Sequence, residues 1–226
     1  MRSRMVGLLA GLLLAGAASA LFAADTAPGE AYDLIFRTGT LDGVSRNEGL
    51  VYRRSVQNDA LPGEAAAETG ELRLVFPPGA PDTADLRLIE GERFRAIGSF
   101  PAGVGNPVAM YFVESVVRDM ARTMGGSPFY IRNRLKEALM RPAERRPVRA
   151  SWGAGEVAAE VVVLHPFEAD PARARMGAFA DMEIAVTVSD AVPGWYRSLS
   201  ATVPGAGGAA YAARLTLTEP AAEPGQ

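Results

Sequence analysis

From position 31 to about position 100 the apolar residues fall mostly at every second place, in short runs broken by glycine, proline and acidic residues. Leu72, Leu74 and Phe76 alternate with Arg73 and Val75, the period of a strand that buries one face. Gly91 lies in a turn between Leu86/Leu88 and Phe94/Ala96, which predicts a hairpin. GLVYRRSVQ and AYDLIFRTG read as further strands, and the acidic, Pro/Gly-rich stretches NDALPGEAAAETG and PPGAPDTAD read as loops.

The period changes at Asn106. Asn106-Pro107 supplies an N-cap and a favoured first helical residue. Ala109, Val113, Val116, Val117, Met120 and Met124 then recur at helical spacing. Glu114, Arg118, Asp119 and Arg122 take the opposite face, with Glu114 and Arg118 forming an i,i+4 pair. Gly125-Gly126 ends this helix, and Ser127-Pro128 starts a second one whose stripe is Ile131, Leu135 and Leu139 and whose stop is Pro142. The Ser127 hydroxyl is expected to accept from the first backbone N–H groups of the second helix. A serine in GGSPF lacks the second glycine of a G-x-S-x-G elbow, so it reads as a helix joint rather than a nucleophile.

After Pro147 the period returns to two. VRASWGAGEVAAEVVVLHPF reads as a hairpin around Gly153 and Gly155, followed by strands in MEIAVTVSD, WYRSLSATV and YAARLTLT. Strand runs interrupted by one helical pair predict an α+β fold. The expected form is a mostly antiparallel, curved sheet of about 8–10 strands with a central helix pair packed on one face. One domain runs over 24–226, with a helical insert at about 106–141 and a disordered tail at about 219–226.

The first residues change the compartment. Arg2 and Arg4, a leucine-rich core and Ala18-Ser19-Ala20 have the layout of a secretory signal peptide, assigned to 1–23, with Ala20, Ala23 or Ala24 as the last residue removed. The chain has no cysteine, which removes disulfides and the cysteine that a lipid-anchored bacterial protein needs. Lys136 is the only lysine beside many arginines and alanines, a composition of GC-rich bacterial genomes. The expected location is the periplasm.

Loss of Arg2 and Arg4 takes the formal charge from −3 to −5, which argues against nucleic acid as a partner. The charge is uneven. Arg132, Arg134, Lys136, Arg141, Arg145, Arg146 and Arg149 face only Glu137 and Glu144 within that stretch. Such a segment is either a solvated helix face or a surface for an anionic headgroup, an anionic membrane or a periplasmic protein partner.

Inventory removes most chemistry. Without cysteine there is no thiol catalysis, and with His165 as the only histidine there is no multi-histidine metal site in one chain. Lys136 stands in neither a Gly-Lys P-loop nor an S-x-x-K motif. Glu168, Asp170 and Asp181 match no calcium-loop spacing. No catalytic residue, metal or cofactor is assigned. His165 with a distant serine remains the hydrolase alternative.

In element order and compartment the chain resembles the periplasmic half-barrel carriers, in which a curved antiparallel sheet wraps around helices and encloses a greasy cleft. That resemblance implies a non-enzymatic carrier for a lipid-like or apolar ligand in cell-envelope maintenance. VAMYFV is apolar nearly all round its helix, so Val108, Met110, Tyr111, Phe112 and Phe129 are the expected lining. Arg132, Arg134 and Arg145 are expected to meet an anionic headgroup. The rival is an accessory protein that docks a partner through the basic helix.

Overall fold

A computed structural model describes residues 23–91 and 93–218. Most of the expected signal peptide, through residue 22, and the expected disordered tail at 219–226 lie outside the described residues. The chain forms β1 (Ala24–Asp25), α1 (Glu30–Ile35), β2 (Leu50–Asn58), α2 (Pro62–Ala67), β3 (Gly70–Val75), β4 (Thr83–Glu90) and β5 (Arg93–Pro101). Next come α3 (Val108–Met124), α4 (Pro128–Met140), β6 (Glu144–Trp152), β7 (Gly155–Leu164), β8 (Glu183–Val188), β9 (Tyr196–Gly205) and β10 (Gly208–Leu217).

The ten strands make one antiparallel sheet, curved and unclosed, in the order β1-β6-β7-β8-β9-β10-β2-β3-β4-β5. Two meanders, β2 to β5 and β6 to β10, meet where Tyr211 to Leu217 pairs with Asn58 to Tyr52. β5 is one edge and β6 lies beside the other, so the connection between them must cross the sheet. A flat sheet would put about 38 Å between them at ~4.8 Å per strand, while α3 is only about 25 Å long and α4 folds back on it. The curl of the sheet shortens that path.

Alternation decides which face the helices cover. Tyr52, Leu72, Leu74, Leu86, Leu199, Ala201, Val203, Tyr211 and Leu215 are all buried and join the same core as Val108, Phe112, Val116 and Met120 of α3 and Ile131, Leu135 and Leu139 of α4. Arg53, Glu71, Arg73, Arg87 and Arg214 alternate with them on the other side. No helix of the described residues is long and apolar enough to cross a membrane.

Four expectations need correction. Asp119, expected on the polar face of α3, is buried. The segment AYDLIFRTG holds α1, not a strand: Ala31 and Ile35 are its buried residues, four apart on one helical face. The expected loop NDALPGEAAAETG contains α2, where Pro62 takes the first turn and three alanines follow, all compatible with helix. The Ser127 hydroxyl makes no capping bond; the Ser127 carbonyl accepts the Ile131 N–H at 3.2 Å and Pro128 occupies the first turn. Asn106 does act as foreseen, its Oδ1 accepting the Val108 N–H at 3.1 Å.

Candidate functional site

The expected ligand residues start on α3. Val108 and Phe112 are fully buried between sheet and helices, while Met110, at 55 % exposure, points outward. Tyr111 is buried and turns towards Arg54 of β2, whose guanidinium carbon lies 5.4 Å from its ring. On α4, Phe129 is 75 % exposed. Arg132 is clamped to Glu114 of α3, and Arg134 pairs with Glu137 one turn on while lying over the Tyr130 ring at 5.2 Å. Arg145, on β6, binds Glu30 of α1 and Glu160 of β7. These side chains therefore occupy separate surroundings and do not line one hollow together.

A different hollow opens beside the helices. Gly125 and Gly126, at φ 72° and 100°, reverse the chain between α3 and α4, a conformation that glycine adopts without steric cost. The loop after β7 comes back against that joint. Between them lies a groove of about 430 Å³, lined by Met120, Met124, Ile131, Ala172 and Met176, with Gly125 to Ser127 at one end and Tyr130 and Arg175 also on its wall. Its volume is of the size that holds a small ligand. Methionine side chains suit an apolar lining because their flexible thioethers repack around different shapes.

Specific polar bonds hold the loop side of this groove in place. Tyr130 donates its hydroxyl to Asp170 Oδ1 at 2.6 Å, and the same oxygen accepts the Ala172 N–H at 2.7 Å. The bond to the Asp170 carboxylate raises the Tyr130 pKa above the usual tyrosine value. Arg173 pairs with Asp181 and donates to the Ala180 carbonyl, closing the two 3-10 turns at Arg173–Arg175 and Gly177–Asp181. Asp170 and Asp181, weighed above as calcium ligands, thus serve the loop itself. Among the described residues no cluster of three or more His, Asp or Glu could hold a metal ion.

His165 is exposed at the edge of another cleft, of about 330 Å³, with Asp25, Arg141, Glu144 and Glu168. Among the described residues, no serine or threonine lines it. A third cleft, of about 440 Å³, is polar and holds Thr38, Thr40, Ser189 and an Arg37–Asp190 ion pair. Arg37 lies 4.4 Å above the Trp195 ring, and Trp195 is the one non-glycine residue with a left-handed backbone among those described.

Arg54 is the feature that sequence reasoning passed over. It is fully buried on the helix-covered face. The signal was present: Leu50, Tyr52, Arg54 and Val56 form one alternating row, so the period of two places this charge inside. Nearby, Asp119 of α3 accepts the Tyr211 hydroxyl at 2.9 Å. Burial raises the pKa of Asp119, of Tyr211 and of Tyr111. At the seam between α3 and α4 the effect is reversed, since the Arg132 bond lowers the Glu114 pKa.

Compared with family models, curated proteins and solved structures, the chain matches none.

Proposed function

We propose that this chain is an exported, non-enzymatic binding protein of the periplasm that carries a lipid-like or apolar ligand in the cell envelope. The observation that supports it most is the methionine-lined groove at the helix joint, where Met120, Met124, Met176 and Ile131 give an adaptable apolar wall and Arg175 stands at hand for a negative group. This moves the ligand from the first half of α3 to the end of it, because the inward side chains there already fill the space against the sheet.

The docking rival has less to work with. Arg132, Arg134 and Arg145 each hold an acidic partner within the chain, which leaves little free positive charge for another protein. The hydrolase alternative finds no hydroxyl nucleophile among the described residues lining the His165 cleft.

The test is uptake of the apolar fluorophore N-phenyl-1-naphthylamine by the mature chain. Fluorescence should rise saturably, and Ala172→Trp, which fills the groove from its half-buried loop side, should abolish the rise while the protein stays folded. Equal uptake by Ala172→Trp, or none by the native chain, would remove the carrier reading.

A further inference from the structure

Beneath α2 the side chain of Arg54 is fully buried. A buried guanidinium is tolerated only when its charge is paired and its donors are used. One donor is well placed: Nε gives a 2.8 Å bond to the Glu68 carbonyl, just past the end of α2. The two terminal nitrogens are served poorly. Nη1 lies 3.3 Å from Ser115 Oγ, and Nη2 lies 3.4 Å from Glu68 Oε2, against the usual ~2.7–2.9 Å of a charge-assisted bond. Glu68 itself sits closer to Arg95, at 2.9 Å.

The surroundings have unused capacity. Tyr111 is 5 % exposed, and its buried hydroxyl has no partner among the described residues; the same holds for Nη2 of Arg118. Arg54, Arg95, Arg118 and Glu68 all act on the Tyr111 hydroxyl, and Asp119 is near the same charges. Three guanidiniums thus face Glu68, Asp119 and, 3.9 Å from Arg95, Glu90. Burial keeps the Tyr111 phenol protonated, hence a donor.

We infer that the Arg54 centre is a binding site for the carboxylate of an organic anion, and that Glu68 occupies in this closed form the place which the ligand's carboxylate takes. A carboxylate fits the planar Nη1/Nη2 edge in a two-bond fork. It also accepts the Tyr111 hydroxyl. A phosphate dianion would bring a second negative charge into a buried place beside Glu68 and Asp119.

Entry requires α2 to move. The void beneath it, lined by Asn58, Ala65, Glu68 and Asp119 and not by Arg54 or Tyr111, is only about 10 Å³, close to the least that holds one water, so a ligand reaches Arg54 only by displacing Glu68. α2 has six residues, of which only Ala65 is buried; it is fastened at its ends by the Leu61 N–H on the Asn58 carbonyl, the Glu68 carbonyl on Arg54 and Thr69 Oγ1 on the Val56 N–H, and on its outer side by an exposed Glu64–Arg122 pair. Removing the Glu68 carboxylate from Arg54 loosens the segment that covers the site without detaching its ends. The inference is independent of the methionine-lined groove. The competing account is a purely structural one, in which Arg54 only pins α2 to the sheet.

Calorimetric titration of the mature chain with benzoate, octanoate and inorganic phosphate separates the two. Glu68→Gln, which weakens the internal competitor, should tighten carboxylate binding by about tenfold, the worth of one charge-assisted bond. Tyr111→Phe should weaken it by about tenfold and leave the melting temperature unchanged or higher, since an unsatisfied buried hydroxyl is removed. Octanoate taken up by the groove is distinguished by Ala172→Trp, which leaves the Arg54 centre intact. Carboxylate binding that survives Ala172→Trp and falls in Tyr111→Phe carries the inference. Binding of phosphate alone, binding indifferent to Tyr111→Phe, or no binding to either the native chain or Glu68→Gln overturns it.

Discussion

Arg132 donates to both carboxylate oxygens of Glu114, from Nε at 2.6 Å and from Nη2 at 2.7 Å. The pair joins α4 to α3 across the helix seam. It also shows why a run of basic residues in a sequence is a poor guide to free surface charge. A fork of this kind uses the guanidinium edge that a partner would need.

Arg132→Ala should therefore behave as the loss of a partly exposed ion pair. The expected shift in melting temperature is no more than about 2 °C, and smaller still in high salt. Thermal scans at low and high ionic strength check this; an equal loss at both would point to packing instead of charge.

Asn106 ties three elements together at the start of α3. Its Nδ2 donates to the Tyr52 hydroxyl at 3.0 Å and to the Gly194 carbonyl at 2.8 Å, while its Oδ1 caps the Val108 N–H. Asn106→Ala leaves these buried groups without that partner. The cost should be about 3 kcal/mol, read from urea unfolding.

Gly49 precedes β2 at φ 66°, and a Cβ placed there would stand 2.1 Å from the Leu74 carbonyl oxygen. Leu74 is fixed by its pairing with Leu50. Gly49→Ala combines a left-handed backbone with a clash against the ladder, so the loss should reach about 3 kcal/mol or more. Urea midpoints compared with Gly79→Ala supply the control, because Gly79 also has a positive φ but has open space around it.

Asp119 gives a pH signature. Burial raises its carboxyl pKa in the folded chain, so on going up in pH the unfolded chain loses this proton first. Between the two values the native state binds more protons, and its stability falls as pH rises. Asp119→Asn keeps an acceptor for the Tyr211 hydroxyl and removes the titration. Urea midpoints from about pH 4 to 7 should then fall less in the variant than in the native chain. A steeper fall in the variant would contradict this assignment.

Much of the fold was legible because local periods carry it. The helical pair at 106–141 follows from Asn106-Pro107, the apolar stripe, the paired glycines and Pro142. The strands from β6 to β10 follow from alternation. The short helices α1 and α2 were missed because six residues make fewer than two turns, too short for a period to show above composition.

The amino-acid order alone determined which residues alternate, where helices start and stop, and which thiol and multi-histidine chemistries are absent, since these depend on near neighbours and on inventory. Alternation along β2 already marked Arg54 as inward-facing, but only the packing of α2 and α3 on that face decided that the charge would lie between Glu68 and Tyr111. The methionine-lined groove likewise needed the 170–176 loop to return to the glycine joint. Distance in the chain says nothing about either meeting, because both are set by how a curved sheet closes over its helices.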